Sequence, residues 1–250
     1  MRAVLKEKCL TMENTTKIHA TGELSLASAA LIAGLGLLVM TLTAPIANFY
    51  FMGQSLVPNN AIATVENLQT NGKPFLIGAA LLFTTYVMDV VVAWALYWYL
   101  RPRQEALALL VAWARLVYTA LAFIGLWASM SAYDLAIGGL TADDLSGAGL
   151  SAEVMFQLSA AKSMESLALC FFGVHLWIMS VLIWRSAHVP HWLAIIVALA
   201  GSSYVVLFVA KYVAPGLDLS WVLLLALGEL VFMLWLLAFG WRKSQVVTGS

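Results

Sequence analysis

The feature that most constrains the fold is a pair of long apolar runs that meet at a basic turn. The runs cover Phe75–Leu100 and Ala106–Tyr133, on either side of Pro102. Each contains one charged residue, Asp89 or Arg115, thirteen residues from that proline. If the runs are antiparallel helices, both charges lie roughly 20 Å from the turn, near the middle of a bilayer core about 30 Å thick. Because a lone charge is costly there, we predict an Asp89–Arg115 pair at the centre of a helical membrane protein.

The composition of the chain supports this class. Hydrophobic residues make up 62% of the sequence and charged residues 10%, compared with roughly 25% charged residues in soluble domains. The mean hydropathy is +0.90. The formal net charge is zero, so no basic surface indicates nucleic-acid binding, and we expect the lipid bilayer to be the main partner. The histidines and cysteines lack metal-site spacing, and no phosphate-binding glycine loop is present, so we predict no metal and no cofactor.

The apolar segments predict an all-α fold, a polytopic membrane helical bundle with six transmembrane helices. This domain covers residues 24–241, between an N-terminal tail at 1–23 and a C-terminal tail at 242–250. Each predicted span is long enough to cross a bilayer. The predicted spans are Leu24–Phe51, Phe75–Leu100, Ala106–Tyr133, Ser151–Trp184, His191–Val213 and Leu219–Trp241.

The connections between the spans are predicted from their composition. Pro45 should kink or end the first span near its far side. The loop 52–74 is rich in Asn, Gly and Pro and contains Glu66 at the centre of a short interfacial helix. The segment 134–152 is rich in glycine and acidic residues and is typical of an exposed loop.

The positive charges predict the orientation in the membrane. Lys and Arg flanking membrane spans collect on the cytoplasmic side, so we predict that both termini are cytoplasmic. The residues predicted on that side are Arg2, Lys6, Lys8, Lys17, Arg101, Arg103, Arg185, Arg242 and Lys243.

Counting inward from the predicted cytoplasmic ends places four polar residues at similar depth. Glu229 lies thirteen residues before Arg242 and His175 ten before Arg185, while Asp89 and Arg115 each lie thirteen residues from Pro102. We expect tyrosines on the same helix faces and Lys211, toward the outer side, to complete a binding site. The candidate binding residues are Asp89, Arg115, His175, Glu229, Lys211, Tyr86, Tyr118 and Tyr204.

Each of these residues has a purely structural alternative. The Asp89–Arg115 pair could serve only to fix the helix register, and His175 could be a hydrogen-bonded packing residue. Lys211 can extend its amine to the lipid headgroups. The neighbouring Lys162 and Glu165, three residues apart, are typical of a solvated intrahelical pair.

Several short stretches resemble one known family in their order along the chain. They are Asn14–Lys17, Asp89–Tyr97, Ala114–Val117, Phe171–His175, Ala210–Pro215 and Gly228–Leu230. Together they resemble bacterial multi-pass membrane proteins grouped as domain of unknown function 4386, over about residues 14 to 241. The resemblance supports six helices and the same polar residues, and it brings no activity, cofactor or partner. We expect the protein in the inner membrane (plasma membrane) of a bacterium.

Three functions are compatible with these residues. The first is a membrane protein whose buried polar layer binds a small polar solute, a proton or a lipid headgroup. The second is an intramembrane enzyme acting on a lipid or apolar substrate, with His175 or Glu229 as general base and Arg115 as electrophilic stabiliser. The third is a structural or regulatory subunit that binds a membrane-protein partner through faces of small residues. The sequence shows no repeat or broken helix of the transporter type.

Overall fold

The structure is a computed structural model that describes residues 24–138, 147–186, 189–214 and 216–240. All regular elements in these ranges are helical. The predicted tails at 1–23 and 242–250 lie outside the described residues, and so does the Asn14–Lys17 stretch.

Seven α-helices occur in the described part of the chain. They are α1 (Leu26–Pro45), α2 (Ala61–Thr70), α3 (Lys73–Leu100), α4 (Glu105–Ala136), α5 (Ala148–Trp184), α6 (His191–Val213) and α7 (Gly228–Trp235). Helix α1 continues through π-helical turns at Ile46–Met52 and a last turn at Gly53–Ser55. Helix α7 follows 3-10 turns at Ser220–Leu227 and continues as π-helical turns at Leu236–Gly240.

Five helices in the described ranges are long and apolar enough to cross a membrane. They are Leu26–Ser55 and helices α3 to α6, and a shorter apolar helix follows at Leu224–Gly240. The chain is therefore a multi-pass membrane protein, and the predicted six-helix bundle is confirmed. Helix α5 has 37 residues, about 55 Å at 1.5 Å per residue, so it extends well beyond the bilayer core.

The span boundaries differ from the predicted ones at several ends, among them the start of α5 at Ala148, three residues before Ser151. Pro45 ends the regular α-helix, but the span continues because the backbone changes to π-helical turns. Helix α4 continues three residues past Tyr133, to Ala136. The Tyr133 ring stacks on Phe75 at 5.8 Å, which packs this last turn against α3.

The loop predicted around Glu66 contains the expected short helix, α2. Asn60 caps its first turn, because the Asn60 side chain accepts a hydrogen bond from the Ala63 amide at 3.0 Å. The predicted loop 134–152 is helical at both ends, at 134–136 and 148–152, and its residues 139–146 lie outside the described residues.

The six spans form an up-and-down ring in chain order. Each packs against the next, and the last packs back on α1. Glycines allow the closest approaches, because a Cβ atom added to Gly173 on α5 would lie 2.6 Å from the Gly201 carbonyl oxygen on α6. A Cβ atom added to Gly34 on α1 would lie 2.7 Å from Leu237 in the last span. The ring therefore closes on itself.

Small residues along one face of α4 let this helix pack deep in the bundle. The backbones of α4 and α5 approach closely, since a Cβ atom added to Gly125 would lie 3.3 Å from the Ala161 carbonyl oxygen. Arg115 lies on the same face and therefore points into the bundle. The buried small residues of this face are Ala108, Ala112, Thr119, Ala122 and Ser129.

The turns after α3 and α5 lie together at one end of the bundle. Arg103 donates a hydrogen bond from Nε to the Ser186 hydroxyl at 2.8 Å. Arg185 donates one from Nη1 to the Gln104 side-chain oxygen, also at 2.8 Å. This is the end predicted to be cytoplasmic, and the orientation stays a prediction.

Candidate functional site

The centre of the bundle contains an ion pair between Asp89 on α3 and Arg115 on α4. Arg115 donates from Nε to Asp89 Oδ1 at 2.7 Å, and its Nη2 lies 2.6 Å from the same oxygen. The two side chains are 0% and 1% exposed. Equal distances from the turn at Pro102 bring them to the same depth, because α3 and α4 are antiparallel neighbours.

Thr119 is a second hydrogen-bond partner of the Asp89 carboxylate, and the sequence analysis assigned it no role in the site. Its hydroxyl donates a hydrogen bond to Asp89 Oδ2. Thr119 follows Arg115 by one helical turn, so both face the same point on α3. The four-residue spacing was the sequence signal that could have identified Thr119, because a hydroxyl four residues from a buried arginine lies on the same helix face.

His175 on α5 contacts the other side of the guanidinium. Its Nε2 lies 3.3 Å from Arg115 Nη1, and its Nδ1 lies 2.8 Å from the Val111 carbonyl oxygen. A guanidinium only donates and a carbonyl only accepts. The imidazole must therefore carry hydrogen on Nδ1 and accept at Nε2. His175 is neutral in this arrangement, and both of its ring nitrogens are occupied.

Glu229 on α7 is the last of the four polar residues that were predicted to lie at this depth. Its Oε1 lies 3.8 Å from Arg115 Nη2, and its side chain is 23% exposed. It stands in the first turn of α7, where 3-10 turns change to α-helix. The preceding Gly228 packs closely on α6, since an added Cβ atom would lie 2.7 Å from the Ile196 carbonyl oxygen. The backbone stays right-handed helical through Leu227 and Gly228, so the hydrogen-bond pattern changes there while the helix continues.

Aromatic and thioether side chains enclose the guanidinium. The Phe172 ring lies 5.1 Å from Arg115 Cζ, within cation–π range. The rings of Tyr118 and Tyr204 pack on Phe172 at 4.8 and 5.5 Å. Met40 Sδ on α1 lies 3.9 Å from Arg115 Nη2. All six spans therefore contribute to the surroundings of one arginine.

We call Asp89, Arg115, Thr119, His175 and Glu229 the arginine cluster. It contains one guanidinium, two carboxyl groups and a neutral imidazole. In the described part of the chain, no three His, Cys, Asp or Glu side chains come together as a metal site would require. The arrangement suits charge compensation around the buried guanidinium.

A cavity of about 570 Å³ lies between the end of α1 and helices α3, α4 and α5. We call it the outer cavity, because it lies toward the side predicted to be extracytoplasmic. Tyr86, 7% exposed, closes the cavity one helical turn from Asp89. Asp89, Arg115 and His175 do not line it. Its main lining residues are Phe75, Leu82, Tyr86, Leu158, Lys162 and Glu165.

The structure does not bring Lys211 to the arginine cluster. Lys211 is exposed, and its Nζ lies 5.5 Å from the ring of the adjacent Tyr212. It lines a separate pocket of about 430 Å³ together with Asp218. The residues at the mouth of the outer cavity are instead Lys162 and Glu165, for which sequence reasoning favoured a solvated pair.

Comparisons with known proteins identify a family and a distant relative. The family described as "Domain of unknown function (DUF4386)" matches residues 32–240. An "Uncharacterized protein" of Archaeoglobus fulgidus is 25% identical over 178 residues, which cover 71% of this chain and 93% of that protein. No solved structure matches the chain.

Proposed function

The chain belongs to the DUF4386 family, whose description states no activity, and from the geometry of the arginine cluster we propose that this membrane protein binds and exchanges a proton there. The observation that carries the proposal is the charge balance of the cluster. One guanidinium faces two carboxyl groups, and the hydrogen bonds of His175 require a neutral ring. With both carboxyl groups ionised, the buried cluster has a net charge of −1, and one bound proton removes it.

The proton is assigned to Glu229. Asp89 accepts hydrogen bonds from Arg115 and Thr119, which suit an ionised carboxylate. Glu229 approaches Arg115 only to 3.8 Å and is the most exposed charged member of the cluster. The hydroxyls of Tyr118 and Tyr204 are the other titratable groups near enough to interact with it electrostatically.

Proton exchange at Glu229 is expected to move the last span, because it changes the attraction between Glu229 and Arg115. The ionised carboxylate is attracted to Arg115, and the protonated form loses most of that attraction. Because Glu229 lies where 3-10 turns meet α7, a change in this attraction acts directly on the point where the hydrogen-bond pattern of the last span changes. The proposed function is therefore a proton-linked conformational change.

The other candidate functions have less support from the geometry. A general base at His175 would first have to break its contact with Arg115, since both ring nitrogens are engaged. An anionic solute or headgroup would have to displace Glu229 or Asp89 from the guanidinium. Neither process has an open path through the outer cavity, which ends at Tyr86.

Glu229→Gln is expected to reduce the pH dependence of stability. In the wild type the native state holds one proton that the unfolded chain releases, because a solvated glutamate titrates near pH 4.3. The native state then binds more protons than the unfolded state, so stability falls as pH rises, by up to about 1.4 kcal/mol per pH unit. The measurement is thermal unfolding of the detergent-solubilised protein from about pH 6 to 8.

The matched control is Glu66→Gln, which removes an exposed carboxylate on α2. The control should keep the pH slope of the wild type. The proposal fails if Glu229→Gln keeps that slope as well.

A further inference from the structure

We propose that the outer cavity binds one acyl chain of a zwitterionic phospholipid, with the headgroup held between Lys162 and Glu165. This inference goes beyond the proton site and does not depend on it. It rests on the depth, lining and charge of the cavity.

The cavity spans the depth of one lipid leaflet. Its inner end is Tyr86, three residues from Asp89 and so about 5 Å above the arginine cluster along α3. Glu165 and Lys162 lie ten and thirteen residues from His175 on α5, roughly 15 and 20 Å away along the helix. Because half of the hydrocarbon core is about 15 Å thick, these two charges lie where headgroups begin.

The wall between these ends is mainly apolar. Leu82 on α3, Leu126 on α4 and Leu158 on α5 line the cavity, and Met52 from the end of α1 contributes another face. A volume of about 570 Å³ lies within the usual range of ligand pockets, about 300–1,000 Å³. Such a mainly apolar wall suits a hydrocarbon chain entering from the interface.

The mouth of the cavity presents one cation and one anion. Lys162 and Glu165 are both exposed and lie three residues apart on α5. A zwitterionic headgroup can place its phosphate near the lysine and its ammonium near the glutamate. An anionic headgroup gains only the first contact and is repelled by Glu165. The charge pattern therefore favours phosphatidylethanolamine-like lipids.

The test measures binding of lysophosphatidylethanolamine to the purified full-length protein in a maltoside detergent, by native mass spectrometry. The wild type should bind one molecule saturably and bind lysophosphatidylglycerol more weakly. Lys162→Gln with Glu165→Gln should weaken binding about threefold to tenfold, since exposed charge contacts contribute about 0.2–1 kcal/mol each. The matched control is Lys73→Gln with Glu66→Gln, exposed charges outside the cavity, which should bind as the wild type does.

A second variant tests the cavity itself. Ala122 is 3% exposed and lines the cavity, so Ala122→Phe should fill it and abolish binding of the single bound molecule. If this variant does not fold, the mouth variants decide the question alone. The proposal is overturned if the wild type binds no lysophosphatidylethanolamine. It is also overturned if the two lysolipids bind equally, or if the mouth variants bind as tightly as the control.

Discussion

Arg115→Gln is expected to lower the free energy of unfolding in detergent by about 3–5 kcal/mol, the range for removing one partner of a buried ion pair. Arg115 is 1% exposed and is the shared partner of Asp89, His175 and Glu229. Glutamine is shorter and uncharged, so it leaves the Asp89 carboxylate buried without a cation. The measurement is equilibrium unfolding of the wild type and variant under identical detergent conditions.

A double-mutant cycle distinguishes the coupling energy between Asp89 and Arg115 from a general loss of packing. Asp89→Asn with Arg115→Gln should be less destabilised than the sum of the single variants, by at least about 1 kcal/mol, because the two side chains are in direct contact. The matched control is Arg101→Gln, which removes an arginine at the helix turn whose ion pair with Glu105 is partly exposed and should cost at most about 1 kcal/mol. Additive single effects would show that Asp89 and Arg115 are not coupled.

Gly173→Val is the second substitution with a large expected effect. A Cβ atom at Gly173 would lie 2.6 Å from the Gly201 carbonyl oxygen, and a Cβ atom at Gly201 would lie 2.7 Å from the Gly173 carbonyl oxygen. The obstacle is backbone on both helices, so α5 and α6 must separate. We expect a loss of roughly 1–3 kcal/mol or more, as for overpacked cores, measured by thermal unfolding in detergent.

The separation of α5 and α6 in Gly173→Val should also disturb the arginine cluster. Gly173 lies two residues before His175, so movement of α5 should weaken the contact of His175 with Arg115. Gly216→Val is the control, because an added Cβ atom there meets nothing within 4 Å. Equal stability of Gly173→Val and the control would contradict the close α5–α6 crossing.

The depth of each polar residue could be predicted from the sequence, because the rise of a helix per residue is nearly constant. Counting from the ends predicted to be cytoplasmic placed Asp89, Arg115, His175 and Glu229 at one level, and the structure brings these four together. Depth alone does not say which way a side chain points around the helix axis. Lys211 illustrates this, because its direction depends on how α6 packs in the ring, and it lies over Tyr212 on the surface.

Two features of the site depend on contacts between distant segments and therefore could not be predicted. The run from Leu223 to Leu237 is uniformly apolar apart from Glu229. Nothing in it signals the change from 3-10 to α-helical turns at Gly228, where the helix packs closely on α6. Lys162 and Glu165 show the spacing of a surface pair. Their place at a cavity mouth depends on walls from α1, α3 and α4, which are far away in sequence.

Arg115 contacts groups from several spans at once, and nitrogen NMR of His175 can detect this arrangement. With ¹⁵N-labelled histidine and arginine, the His175 signal is identified by its loss in His175→Gln. At neutral pH we expect a ring with hydrogen on Nδ1 only, and Nε2 accepting a hydrogen bond from the Arg115 guanidinium. A ring with hydrogen on Nε2, or on both nitrogens, would contradict the arrangement of the arginine cluster.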